Sequence, residues 1–171
     1  VRGADGQSRA YPMTENEHEE GILRTTTVPA PGSSAVAERA AALACQVVDR
    51  LEGVGVFCLE LFQLPGEKLL INEIAPRPHN SGHYTLDVCS VSQFEQQVRA
   101  ICGMPLGEVR LLSPAVMVNL IGDDAAMFME KDADCRALLD IPGAVLHIYG
   151  KRELRPRRKM GHVTFLGETL D

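Results

Sequence analysis

The residues of this chain best suited to chemistry lie in one stretch, Leu69 to His83, which reads LLINEIAPRPHNSGH. A short apolar run, expected to bury as a strand, delivers an amide and a carboxylate, Asn72 and Glu73. It then breaks at two prolines into Arg77, His79, Asn80, Ser81 and His83. Each proline fixes its own φ and pushes the preceding residue toward extended backbone, so Pro76 and Pro78 predict a stiff loop rather than a helix. A carboxylate at a strand end beside such a loop offers a metal ligand next to several anion donors. The alternative is a polar surface loop without a role.

The elements around this stretch must position it. Gly55 to Phe62 reads as a strand with Val56, Cys58, Glu60 and Phe62 on one face. Pro65-Gly66 turns it into a second strand, Lys68 to Ile74. This antiparallel hairpin sets Glu60 beside Glu73, two carboxylates in otherwise apolar runs, where a charge is costly unless paired or facing solvent. Upstream, Val1 to Pro12 reads as a hairpin turning at Asp5-Gly6, Thr14 to Gly21 is acidic with His18 in its middle, and Ile22 to Val28 is a β-branched strand. Ser33 or Ser34 caps a helix running to about Leu51, with Val36, Ala40, Leu43, Val47 and Leu51 as its stripe and Gly53 as its stop. Downstream, Ser90 or Ser92 caps a helix over about Gln93 to Cys102 with Phe94, Val98 and Ile101 as its apolar face. The pattern changes near Leu106 to Ser113. Beyond it come a strand over Pro114 to Ile121, mixed helical character over Ala125 to Leu139, a strand over Ala144 to Tyr149, and a last strand over Gly161 to Phe165.

Length and charge set the limits. A chain of 171 residues, 45% hydrophobic, supports one core or two small lobes sharing an interface. It contains no apolar stretch of membrane-spanning length. Five scattered cysteines without a CxxC pair read as reduced, intracellular, mostly buried thiols, not as a disulfide frame or a zinc site. The net charge of −6 conceals a basic segment, Lys151 to His162, of +5 on a remainder of −11. A local basic segment on an acidic body points to a small anionic ligand rather than nucleic acid. The chain opens inside an extended pattern without an initiating Met, which predicts a piece of a longer protein.

Four segments, VFCLELF (Val56 to Phe62), LINEIAPRPHNSGH (Leu70 to His83), SQFE (Ser92 to Glu95) and RKMGH (Arg158 to His162), closely resemble the N5-carboxyaminoimidazole ribonucleotide synthetase family of ATP-grasp enzymes. The resemblance runs along the whole chain. It implies an α+β fold: residues 1–107 as the second lobe of an ATP-grasp domain, an antiparallel sheet with helices, and residues 108–171 as a small mostly-β C-terminal domain. The implied activity of the parent is ATP-dependent carboxylation of 5-aminoimidazole ribonucleotide by bicarbonate, in de novo purine biosynthesis in the cytoplasm. ATP and Mg²⁺ are the implied cofactors, with Glu60 and Glu73 as metal ligands and Asn72, Glu73 and His18 at the nucleotide. Arg77 and His79 are the expected catalytic residues, and Asn80, Ser81, Lys151, Arg158 and Lys159 the expected substrate-binding ones. A homodimer, and fusion to or work alongside the mutase of the next step, are left open. Members of the family it resembles commonly have glycine where this chain has Arg157; if that glycine uses positive φ, the arginine would be strained there and Arg158 re-aimed. The alternatives are a different ATP-grasp ligase, such as a formate-using transformylase or biotin carboxylase, and a fragment that only binds nucleotide or anion. The isolated chain is expected to be inactive.

Overall fold

The computed structural model describes residues 1–126, 128 and 133–169. Its centre is a five-stranded antiparallel sheet in the order β1 (Glu15–Glu19), β2 (Ile22–Val28), β5 (Ala115–Ile121), β7 (Lys159–Leu166), β6 (Ala144–Ile148), and β3 (Cys58–Leu64) with β4 (Lys68–Ala75) forms a separate two-stranded sheet. The architecture is α+β, as expected.

The acidic segment after Thr14, to which the sequence assigned no element, is strand β1 (Glu15–Glu19), entirely exposed at the sheet edge. It pairs with β2 (Ile22–Val28), whose residues alternate between buried and half-buried. A row of charged side chains on an edge strand also discourages pairing with other chains. The first residues form less than the expected hairpin. Arg2 and Ser8 make one isolated bridge around the Asp5-Gly6 turn, and Arg2 also bridges to Gly55.

Helix α1 (Ser34–Leu51) begins where the capping signal places it, with Ser33 Oγ accepting from the Val36 amide. Its left-handed terminal residue is Glu52, at φ 52°, rather than Gly53. Val36, Ala40 and Val48 face the interior, whereas Leu51 at the helix end is exposed.

Strands β3 (Cys58–Leu64) and β4 (Lys68–Ala75) form the expected hairpin. The expectation that its apolar run buries is corrected: Leu70 and Ile71 on β4 and Phe62 and Leu64 on β3 are all exposed. Among the described residues no other strand joins this pair, and none seals its outer rows.

The polar loop after β4 ends in a single 3-10 turn, Asn80–Gly82, followed by the short helix α2 (Thr85–Val88). Helix α3 (Gln93–Ile101) is capped by Ser92, but its orientation reverses the sequence expectation. Phe94, Val98 and Ile101 are exposed, whereas Gln93, Gln96 and Ala100 are buried. The reason is hydrogen bonding. Gln96 exchanges two bonds with the Gly107 backbone, and Gln93 does the same with His79, so each amide serves as a peptide group for a neighbouring loop.

Strand β5 (Ala115–Ile121) lies between β2 and β7 (Lys159–Leu166), and β6 (Ala144–Ile148) closes the far edge. The last strand therefore starts two residues earlier than expected and includes Lys159. The expected helical stretch falls partly outside the described residues; what is described is a 3-10 turn at Gly122–Ala125 and helix α4 (Ala133–Leu139). Two apolar clusters lie on the two faces of the sheet. Val28, Ala115 and Met117 meet Tyr84 and Val88 on one, and Leu120 and Val163 meet Phe128 and Leu138 on the other. Among the described residues no helix is long and apolar enough to cross a membrane. The thiols are less buried than expected: Cys89 is interior, Cys102 is exposed, and Cys45, Cys58 and Cys135 lie between.

Candidate active site

The hairpin register puts Glu60 directly opposite Glu73. Next to that pair the register shifts: Leu61 faces Ile71, so Asn72 is an extra residue on β4, a β-bulge. Ideal alternation would send Asn72 and Glu73 to opposite faces. The bulge alters this, and Asn72 Nδ2 donates to Glu60 Oε2 at 3.4 Å. Glu60 is half-buried and Glu73 exposed.

The polar loop folds His79 back onto Glu60. His79 Nε2 lies 3.6 Å from Glu60 Oε1, while Nδ1 lies 2.9 Å from Ser81 Oγ and caps the 3-10 turn by accepting from the Ser81 amide. With Nδ1 accepting, the ring proton sits on Nε2 and points at the carboxylate. Burial, opposed by Glu60, holds the His79 pKa below its ordinary value, so the ring is neutral at physiological pH. Cys58 Sγ is 3.7 Å from Ser81 Oγ, and burial pushes its thiol pKa up. Cys58, Glu60 and His79 present donor atoms within 4.8 Å of one another; Glu73 is not in that group.

A cleft of about 420 Å³ runs past these groups. His18, Glu60, Asn72, His79 and Ser81 all line it. His18 reaches it from β1, beside a bulge in the β1–β2 pairing.

Two cations lie in the neighbourhood of Glu60 without forming an ion pair with it. Lys159 is half-buried, and its pKa is lowered by burial and by Arg77, with Glu60 acting the other way. Arg77 is exposed, and its guanidinium donates to its neighbour's carbonyl, Pro78 O, at 3.1 Å. Lys151 sits one layer back: Nζ donates to the Lys159 carbonyl and lies 5.3 Å from the centre of the Tyr149 ring. Arg158 turns to its own loop, donating to Glu153 O at 3.3 Å. Arg157 does adopt the positive φ, 66°, and its guanidinium reaches across to the Glu20 carboxylate and carbonyl, both at 2.8 Å. That contact ties the basic loop to the β1–β2 turn.

Asn80 is buried, with its amide oxygen and one amide hydrogen committed to Asn119 on β5, both bonds 2.8 Å. The structure thus gathers His18, Glu60, Asn72, His79 and Ser81 around one cleft, sets Lys159 and Arg77 nearby, and leaves Lys151 and Arg158 turned to other partners.

Two contributors escaped the sequence reading. Gln93 holds both the amide and the carbonyl of His79, at 2.9 and 2.7 Å, and its Nε2 also lies 2.9 Å from His83 Nδ1. Asn119 locks the loop to the central sheet. An asparagine in the middle of the apolar β5 run was the one available signal, since a buried amide requires partners.

Residues 1–94 match the family model of the ATP-grasp domain, and residues 115–171 match that of the phosphoribosylaminoimidazole carboxylase C-terminal domain. The N5-carboxyaminoimidazole ribonucleotide synthase of Bacillus subtilis is 46% identical over 171 residues, covering 100% of this chain and 43% of the relative. The phosphoribosylaminoimidazole carboxylase of Schizosaccharomyces pombe is 45% identical over 175 residues, 99% of this chain and 31% of the relative. Among solved structures, an ADP complex of N5-carboxyaminoimidazole ribonucleotide synthetase superposes with a TM-score of 0.92 at 42% identity, over 99% of this chain and 44% of that one. The Aspergillus clavatus synthase in complex with ADP and 5-aminoimidazole ribonucleotide gives 0.85 at 36% identity, over 94% and 43%. The chain spans less than half the length of these relatives. Its hairpin carboxylates, its polar loop and both family models agree: the chain belongs to the ATP-grasp family, with the phosphoribosylaminoimidazole carboxylase C-terminal domain following its ATP-grasp segment.

Proposed function

We propose that this chain is the C-terminal part of an ATP-dependent N5-carboxyaminoimidazole ribonucleotide synthetase, a carbon–nitrogen ligase that carboxylates 5-aminoimidazole ribonucleotide with bicarbonate. The observation that carries the reading is the convergence of Glu60, Asn72 and His79 on one cleft, with Lys159 close enough to feel both Glu60 and Arg77. The match of residues 115–171 favours this over a formate-using transformylase or a biotin carboxylase.

Bicarbonate is a poor electrophile, and transfer of the ATP γ-phosphoryl group to it gives carboxyphosphate. The substrate amine then attacks this species, or the CO₂ it releases, with loss of phosphate and of one amine proton. Neutral His79, with its Nε2 proton beside Glu60 and its Nδ1 on Ser81, suits the donation or relay of a proton at this site. Arg77 suits the carboxylate or phosphate of the short-lived intermediate. The donors that Glu60, Glu73 and the Asn72 amide offer are hard oxygens, the set Mg²⁺ takes, so Glu60 and Glu73 would hold the ion. Bound there, Mg²⁺ would neutralise phosphate charge. Asn72 and His18 serve the nucleotide. Ser81, Lys159, Lys151 and Arg158 serve the ribonucleotide, and Asn80 serves it through the loop it anchors. Residues 1–107 and 108–171 act as the two halves of this arrangement.

The test is Glu73→Gln in the full-length protein, a nearly isosteric change that removes one charge. Losing a charge-assisted contact of roughly 1.5–3 kcal/mol predicts phosphate release about 10- to 100-fold slower with ATP, aminoimidazole ribonucleotide and bicarbonate present. A rate near wild type would remove Glu73 from the metal set.

A further inference from the structure

The sheet face that carries the polar loop and α2 holds a second concentration of ligating side chains that the proposed reaction does not use. His147 on β6 and His162 on β7 are direct cross-strand partners, and their rings stack at 4.5 Å with an interplanar angle of 15°. His162 is 1% exposed. Its Nδ1 lies 2.8 Å from the Tyr149 hydroxyl, and its Nε2 is buried without a partner. Asp87 enters from α2, its side chain 8% exposed, with Oδ1 2.9 Å from His147 Nε2 and Oδ2 buried without a partner. One donor atom from each of the three residues lies within 4.8 Å of the others.

We propose that Asp87, His147 and His162 form a binding site for a divalent transition-metal ion of the Zn²⁺ type, separate from the nucleotide's magnesium. Buried polar atoms in native proteins are almost always satisfied, and here two of them, on a carboxylate and an imidazole, belong to one cluster. Two imidazoles and one carboxylate make a borderline-soft donor set that fits Zn²⁺, whereas Mg²⁺ prefers oxygen alone. Three protein ligands leave a fourth position for water, and His147, whose side chain is 31% exposed, provides the open side. Tyr149 completes the arrangement: with metal on Nε2, Nδ1–H donates to the phenol oxygen and fixes the tautomer. His83 stands 5.3 Å from the His162 ring with Nδ1 tied to Gln93, a wall of the site rather than a ligand. The ion would fasten α2, which directly follows the polar loop, to strands about 60 residues further along the chain.

Co²⁺ titration of the chelator-treated chain, followed by its visible d–d band and then displaced with Zn²⁺, tests this. The cluster of Cys58, Glu60 and His79 is the competing site, so the titration is repeated in Cys58→Ser. Expected is one equivalent bound without a thiolate charge-transfer band, unchanged in Cys58→Ser. His147→Gln, at the most exposed ligand, should weaken binding at least ~100-fold, and Tyr149→Phe by about 10- to 100-fold. Zn²⁺ should raise the melting temperature of the wild type and not of His147→Gln, with circular dichroism confirming that both variants fold. Equal affinities for wild type and His147→Gln, or binding abolished by Cys58→Ser alone, would overturn the assignment and leave an Asp–His pair without metal.

Discussion

Asn119→Ala should be among the most destabilising single changes in this chain, and its cost should fall on the polar loop. Asn119 is 1% exposed and makes three hydrogen bonds: it accepts from Asn80 Nδ2 at 2.8 Å, and it donates to Asn80 Oδ1 at 2.8 Å and to the Leu23 carbonyl at 2.9 Å. Alanine removes all three and leaves the buried Asn80 amide without its partner on both sides. An orphaned buried polar group costs roughly 1–3 kcal/mol, so the three left behind, the two ends of the Asn80 amide and the Leu23 carbonyl, predict a loss of about 3 kcal/mol, allowing for water entering the vacated space. Asn80→Ala should cost less, about 2 kcal/mol, because Asn119 keeps the Leu23 carbonyl. Once either partner is gone, removing the other loses little more, so the double variant should sit near 3.5 kcal/mol, an interaction energy of about 1.5 kcal/mol. Urea unfolding of the four proteins, with m held constant, measures the cycle. If each single variant lost under about 1 kcal/mol and the two effects simply added, the buried amide pair would not be the anchor described above.

The basic segment should separate substrate from nucleotide: Lys159→Ala in the full-length protein should raise the apparent KM for aminoimidazole ribonucleotide while leaving that for ATP nearly unchanged, and equal weakening toward both would place the lysine elsewhere. At Arg157, φ 66° predicts that Arg157→Gly is more stable than Arg157→Ala by about 1 kcal/mol. Both variants lose the exposed Glu20 contact, so only backbone strain distinguishes them, and equal urea midpoints would argue against strain. Acid should destabilise the metal-free chain, because burial depresses His83 to about 4 and His162 to about 3 while the unfolded chain titrates near 6.5. The unfolded state then binds more protons as the pH falls below about 6.5, so stability is complete above that value and declines toward pH 4 and then 3. The slope is about 1.4 kcal/mol per pH unit for each histidine. In chelator, stability at pH 5 should therefore be roughly 2–4 kcal/mol below that at pH 7, and a flat profile would mean that these rings are open to protons in the fold.

Local elements were legible wherever local physics decides them. Ser33 and Ser92 cap their helices because a side-chain oxygen next to a helix start satisfies free amides whatever lies beyond. The β3–β4 hairpin followed from Pro65-Gly66 between two alternating runs, and with it the pairing of Glu60 and Glu73. The family, too, was legible, because the chemistry is concentrated in one unbroken motif. What only the tertiary structure decided is which face each element turns inward and which distant elements meet. Helix α3 buries Gln93 and Gln96 and exposes Phe94, Val98 and Ile101, because these two amides serve as hydrogen-bonding partners for two loops. The bulge at Asn72 has no sequence signature, yet it brings the amide to Glu60. Asp87, His147 and His162 lie far apart in the chain and become neighbours because β6 pairs with β7 and α2 reaches that face, whereas Asn80 meets Asn119 on β5 between β2 and β7. Strand order in a sheet is settled by the free energy of the whole packed arrangement, and no window of sequence contains that sum.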